Sequence, residues 1–374
     1  MEDWKTYSFK EIASLSKGKY NPKKENLDLP CIELEHLESE TGRLLGYTSS
    51  LLQSSTKNRF KPGDILYGKL RPYLRKYYFP NFEGVCSSEI WVLKNEKQKV
   101  YNKYLYYVIQ TNRFNQNANK SSGTKMPRAD WDFVSETVFP IPPFNEQYKI
   151  ASILSTWDKA IELKEKLIEQ KKEQKKGLMQ KLLTGEVRLP GFEGEWIEYQ
   201  VGEICTLTRG RVISKKEMEE NIGIYPVYSS QTSNEGKIGS IDTYDFDGEY
   251  VTWTTDGANA GTVFYRNGKF NCTNVCGVLK LKREDIDARY LAYVLASNTG
   301  RYVVRHGNPK LMNNIMEIIP VKIFNNFEFQ KYICDFFDIV DKEINLIEKE
   351  TNELKQQKKG LMQLLLTGKV RVQV

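Results

Sequence analysis

The stretch LYGKLRPYLRKYY, residues 66–78, interleaves Lys69, Arg71, Arg75 and Lys76 with Tyr67, Tyr73, Tyr77 and Tyr78. Such a run places cations for phosphate oxygens beside planar donors that support them. Farther on, SSGTKMPRADW (121–131) carries Lys125 and Arg128 on a loop containing Gly and Pro, and HGNPKLMN (306–313) carries Lys310 at a comparable place. Arg209, Arg211, Gln231 and Asn259 are side chains suited to guanine or adenine edges. The plainer reading of each is an ordinary charged or polar residue on an exposed strand edge or loop.

Catalytic chemistry is poorly represented by comparison. IPPF at 141–144 resembles the N-P-P-F of adenine methylation sites, but Ile141 cannot accept a hydrogen bond from the target amino group. The two prolines read instead as a rigid linker that places Gln147 at a helix start. TTDGANAG (254–261) lacks the G-x-G core of a cofactor loop and reads as a turn between strands, and no G-x-x-x-x-G-K-[ST] exists for ATP. Glu162, Leu163 and Lys164 form an E-x-K, but on a helix, where a nuclease metal site has no second acid beside it. His36 and His306 are the chain's two histidines, and the six cysteines lack the paired spacing of a zinc site. In FNCTNVCGV a period of two puts Cys272, Asn274 and Cys276 on one strand face, which is packing. The chain is therefore expected to hold no catalytic centre, metal or cofactor of its own.

The elements that position these residues follow from size and repetition. A chain of 374 residues accommodates two domains, and its 40% apolar and 28% charged composition is that of a soluble protein. No apolar run is long enough to span a bilayer, and MEDWKTYSFKEIASL does not read as a secretion signal, so a cytoplasmic protein is expected. The net charge of +7 favours a polyanionic partner.

QKKGLMQKLLTG at 174–185 returns as QKKGLMQLLLTG at 357–368. Laid over 330–372 without a gap, residues 147–189 match at 22 of 43 positions, and WKTYSFKEIASL from Trp4 shares W-x-x-Y and E-I with WIEYQVGEICTL from Trp196. The chain is thus two tandem units, each a variable globular region followed by a repeated tail. Ile344, Ile347, Thr351, Leu354, Leu361 and Leu365 recur at coiled-coil spacing, as do Trp157, Ile161, Ile168, Leu178 and Leu182. Lys164 and Lys171 interrupt the first seam, with Leu163 and Leu167 placed to compensate. Both helices are expected to stop at Thr-Gly, after a rod on the order of 55 Å at about 1.5 Å per residue. The lysines of KKEQKK (171–176) read as a solvated face. The globular regions look strand-rich, with helices in NKYLYYVIQTNRFN and ARYLAYVLASNTGRYV. Near-identical tails suit two copies of one partner. Gln147, Lys175, Gly177, Leu178 and Met179, with Gln330, Lys358, Gly360, Leu361 and Met362, are the candidate docking residues.

FKPGDILYGKLRPYLRK, GVCSSE, PIPPFNEQYKIASIL, YPVYSSQ, DFDGEYVTWTTDGANAGTV and the two tails together resemble the specificity subunits of type I restriction-modification systems, along the whole chain. The second copy departs from the pattern where NNFEFQ replaces PPFNEQ. The resemblance implies an α/β fold of two target recognition domains, 1–145 and 186–328, with helical regions 146–185 and 329–374 packed antiparallel in pseudo-two-fold symmetry. It also implies a non-catalytic subunit that reads a bipartite asymmetric site in double-stranded DNA. Two methyltransferase subunits would bind it, and restriction and translocase subunits when present. S-adenosylmethionine, ATP and Mg2+ would belong to those partners. A self-contained DNA methyltransferase or nuclease, and a coiled-coil scaffold without DNA, are the competing readings.

Overall fold

The computed structural model describes residues 3–95, 99–120 and 126–373, and the candidate Lys125 lies outside them. The polypeptide forms two compact units, Met1–Lys164 with Glu350–Val374, and Glu165–Lys349. These units do not stop at the linear boundaries 145, 185 and 328, because each long helix is shared between them.

Both units open on the same device. In the first, a strand Lys5–Ser8 pairs antiparallel with Val138–Ile141 and runs into a short helix Phe9–Ile12. In the second, Trp196–Gln200 pairs with Pro320–Phe324 and runs into Val201–Ile204. The shared E-I is now intelligible. Glu11 accepts the Ser8 amide at 2.8 Å and Glu203 the Gln200 amide at 2.7 Å, each closing a capping box. Ile12 and Ile204 fill the two cores.

The first unit adds a four-stranded antiparallel sheet, ordered Ser14–Leu15, Ile90–Lys94, Ile65–Gly68, Tyr77–Tyr78. A five-stranded mixed sheet follows the order Lys19–Tyr20, Lys57–Phe60, Gly84–Cys86, Pro30–Ile32, Thr48–Ser49. The second unit joins the corresponding parts into one six-stranded sheet, ordered Cys205–Arg209, Cys276–Leu281, Phe246–Thr254, Val263–Cys272, Ile222–Tyr228, Lys237–Ile241. Pro62 and Gly63 make a turn between Lys57–Phe60 and Ile65–Gly68, whereas Phe246–Thr254 has no proline and runs through. Cys272 ends one strand and Cys276 begins the next, so the expectation that they share a strand face is wrong: Asn274 and Val275 form the turn between them. NKYLYYVIQTNRFN is two helices, Asn102–Val108 and Asn112–Ala118, because Thr111 caps the second by accepting the Phe114 amide.

The long helices run Phe144–Thr184 and Phe327–Leu365. Both are followed by the expected glycine in left-handed conformation, Gly185 at φ 78° and Gly368 at φ 73°. Within each unit the two helical segments pair antiparallel. In the first unit Lys164 meets Glu350 at 2.5 Å and Asp158 meets Lys358. In the second, Lys171 meets Glu343, Lys172 meets Glu348 and Lys175 meets Asp341, all at 2.6 Å. The seam interruptions at Lys164 and Lys171 are thus satisfied by ion pairs. Leu163 and Leu167 are exposed and do not compensate, and Leu178 also faces outward. KKEQKK is an interhelical pairing face as much as a solvated one. The segments also feed the unit cores: Ile150, Ala151 and Leu154 pack with Leu365 and Leu366 in the first, Leu182 and Leu183 with Ile333, Cys334 and Phe337 in the second. No helix among the described residues is long and apolar enough to cross a membrane.

Candidate nucleic-acid interface

In the first unit the basic residues gather where two loops are stitched together by backbone. Lys69 N donates to Glu89 O at 2.9 Å, Ala129 N to Lys69 O at 2.8 Å, and Arg71 N to Pro127 O at 2.7 Å. Arg128 clasps Glu89 through Nε at 3.0 Å and Nη2 at 3.1 Å, which makes its guanidinium harder to deprotonate. Arg75 reaches Asn112 at 3.3 Å and lies 3.7 Å from Glu40, while Lys76 donates to the Leu34 carbonyl at 2.7 Å. Arg71 is exposed, and among the described residues its side chain, like that of Lys69, has no polar partner. Arg71 and Arg75 both adopt left-handed backbone, φ 52° and 47°, flanking the turn Pro72–Leu74. For residues other than glycine such conformations cost roughly 1–3 kcal/mol each.

The second unit builds the same loop pair. Thr255 N donates to Val275 O at 2.9 Å, Leu311 N to Thr255 O at 2.8 Å, and Gly257 N to Pro309 O at 3.0 Å. Position for position, Gly257 and Gly261 stand where the first unit has Arg71 and Arg75, and Lys310 where it has Arg128. Asp256 organises the cations: Arg209 Nη2 lies 3.1 Å and Lys310 Nζ 4.0 Å from its carboxylate. Arg211 is held elsewhere, at 2.6 Å from Glu217 and 3.0 Å from Asp245, which raises its pKa chiefly through the Glu217 hydrogen bond. Gln231 and Asn259 brace a loop with their amide groups, donating to the Lys237 carbonyl at 2.6 Å and the Ser230 carbonyl at 2.9 Å.

Arg266 escaped the sequence reading. It is buried, stacks 3.6 Å over Tyr228 and donates to the Glu235 carbonyl at 2.6 Å, fixing the turn in which Asn234 and Glu235 are left-handed. Its inward place on the strand Val263–Cys272 was the available signal.

The candidate docking residues separate by burial. Gln147 and Gln330 do not face a partner, and that expectation is corrected. Gln147 accepts from the Tyr101 amide at 2.7 Å and donates to the Pro142 carbonyl at 2.8 Å, while Gln330 accepts from the Asp287 amide at 2.8 Å and donates to the Phe324 carbonyl at 2.9 Å. They are identical because each ties its helix to its own head. Lys175 and Lys358 are likewise engaged inside their units, with Asp341 and Asp158. Met179 packs on the second core, Leu361 and Met362 on the first. Gly177, Leu178 and Gly360 remain on the surface, and a Cβ at either glycine would meet nothing within 4 Å.

Where the copies differ, at NEQ against EFQ, the packing differs too. In the first unit Glu146 accepts from the Trp4 indole at 3.1 Å and from Arg371 Nε at 2.7 Å. In the second, Phe329 replaces the carboxylate, 4.5 Å from the Phe324 ring, and the Trp196 indole N–H is buried without a partner among the described residues.

The thiols sit in packed interior positions, and the hydrogen bond with Cys272 shifts the Cys276 thiol downward. All six are buried and free, and burial pushes Cys31 up to about 11 and Cys205 up to about 12. Among the described residues no three His, Cys, Asp or Glu side chains converge as a metal site.

Residues 1–172 and 193–356 match the family described as type I restriction modification DNA specificity domain. A type I specificity subunit of Mycoplasma pneumoniae is 38% identical over 233 residues, covering 61% of this chain and 91% of the relative. The MpnII specificity subunit from the same organism is 42% identical over 165 residues, 44% of this chain and 49% of the relative. A solved S subunit of a type I restriction-modification system from M. genitalium superposes with a TM-score of 0.62 at 17% identity, over 97% of this chain and 96% of that one, which shows a shared fold. With two tandem family matches laid over twinned loop pairs of unlike side chains, this chain belongs to the type I restriction-modification DNA specificity family.

Proposed function

We propose that this chain reads a bipartite, asymmetric site in double-stranded DNA, one half per unit, and carries two modification subunits to it. The observation that supports this best is the loop pair: identical backbone hydrogen bonds present Leu70, Arg71 and Arg128 in one unit and Asp256, Gly257 and Lys310 in the other. One scaffold with two sets of side chains is what two different half-sites require. Lys69 and Arg71, unpaired among the described residues, supply positive charge for the duplex. The discrimination expected is about 1–3 kcal/mol per mismatched base pair.

In this reading the chain contributes no catalytic group. S-adenosylmethionine would be bound by the modification subunits, and ATP and Mg2+ by restriction and translocase subunits where those join. The repeated helix surfaces around Gly177 and Gly360 would each seat one modification subunit. Native mass spectrometry of the chain with an excess of that subunit should find two copies bound. A single copy, with both helices intact, would contradict the assignment.

A further inference from the structure

We propose that Arg71 reads a guanine in the half-site of the first unit. The inference rests on the DNA-reading function above and assigns one discriminating side chain within it.

The backbone of Arg71 is left-handed, φ 52° and ψ 60°, directly ahead of Pro72. A residue before proline is pushed toward extended conformations, so the sequence works against this geometry. The second unit shows what the turn prefers. At the position fixed by the equivalent hydrogen bond to Pro309 stands Gly257, φ 95°, with open space where a Cβ would be. The same turn thus carries a side chain in one unit and none in the other, and that side chain is kept against local backbone preference.

Its surroundings indicate what it is kept for. Arg75 and Arg128 on the same loops are occupied by Asn112, Glu40 and Glu89. Arg71 is exposed and, among the described residues, its guanidinium has no hydrogen bond or ion pair. Its backbone is pinned on both sides, through Arg71 N to Pro127 O at 2.7 Å and Leu74 N to Arg71 O at 2.9 Å, and the Pro72 ring is buried. A free planar fork on a fixed base suits bidentate donation to O6 and N7 of guanine. A phosphate contact needs charge but not that constraint, and Lys69 beside it already provides charge.

The test uses the full chain assembled with its modification subunits, and duplexes carrying the recognition sequence or each single-base variant of it. Arg71→Gly should unfold at the same temperature as wild type or higher, since it relieves the turn. It should bind random duplex with an unchanged salt slope, yet lose about tenfold or more in preference for one G·C pair, in one half-site only. Arg71→Lys should restore charge without restoring that preference. Equal weakening on every duplex with the salt slope reduced by about one would mark a phosphate contact and overturn the inference. Unchanged preference, or a glycine variant that fails to fold, would overturn it as well. A wild-type complex with no preference at any position would overturn the function itself, a separate and distinguishable result.

Discussion

At the scale of single residues, identity between the two copies marks two different demands. Gln147 and Gln330 recur because each satisfies a backbone amide and a carbonyl where a helix meets its head, and both are almost fully buried, at 1% and 0% exposure. Replacing either by Leu leaves those groups without partners, at roughly 1–3 kcal/mol for each unsatisfied group. Gln147→Leu and Gln330→Leu should therefore destabilise the protein by similar amounts, read from the denaturant midpoint. If either variant is as stable as wild type but fails to hold a modification subunit, the glutamine belongs to docking after all. Glu146 and Phe329 teach the converse. Where the copies diverge, one unit closes on an ion pair with Arg371 and the other on an aromatic cluster around Trp196, leaving an indole N–H orphaned among the described residues.

At the scale of elements, the helices and their antiparallel packing were legible in the sequence, and the ion pairs across that packing were not. The spacing of Ile344, Ile347, Thr351 and Leu365 marked the stripe that the structure buries, and the Thr-Gly stops mark both helix ends. The lysines of 171–176 looked solvent-directed because their partners Glu343, Glu348 and Asp341 lie far away in sequence, and only an antiparallel register brings them together. Of the twinned loop pairs, the match of Lys310 with Arg128 was legible and that of Asp256-Gly257 with Leu70-Arg71 was not, for a different reason. They are built from backbone hydrogen bonds, which leave side chains free, so Leu70-Arg71 and Asp256-Gly257 share geometry without sharing identity. Gly177 and Gly360 are repeated residues that neither helix nor core explains. Glycine in an exposed helix interior costs about 1 kcal/mol relative to alanine. Gly177→Ala with Gly360→Ala should raise the thermal midpoint while weakening the modification subunits, whose close approach would need the missing Cβ. Raised stability with undiminished assembly would remove these glycines from the docking surface.

At the scale of the whole molecule, the chain passes from one unit to the other inside the two long helices, at Lys164–Glu165 and at Lys349–Glu350. Each unit keeps its own interhelical ion pairs, so four residues inserted at both crossings would preserve them while adding about 6 Å to each helix. The most direct test of the account is a genome-wide map of methylated adenines in cells carrying the native chain, the paired insertion, or no copy of the gene. A two-headed reader gives one motif with two unlike halves at a fixed gap, absent without the gene, and a wider gap with both halves unchanged in the insertion variant. A single uninterrupted motif, or a map indifferent to loss of the gene, would contradict it.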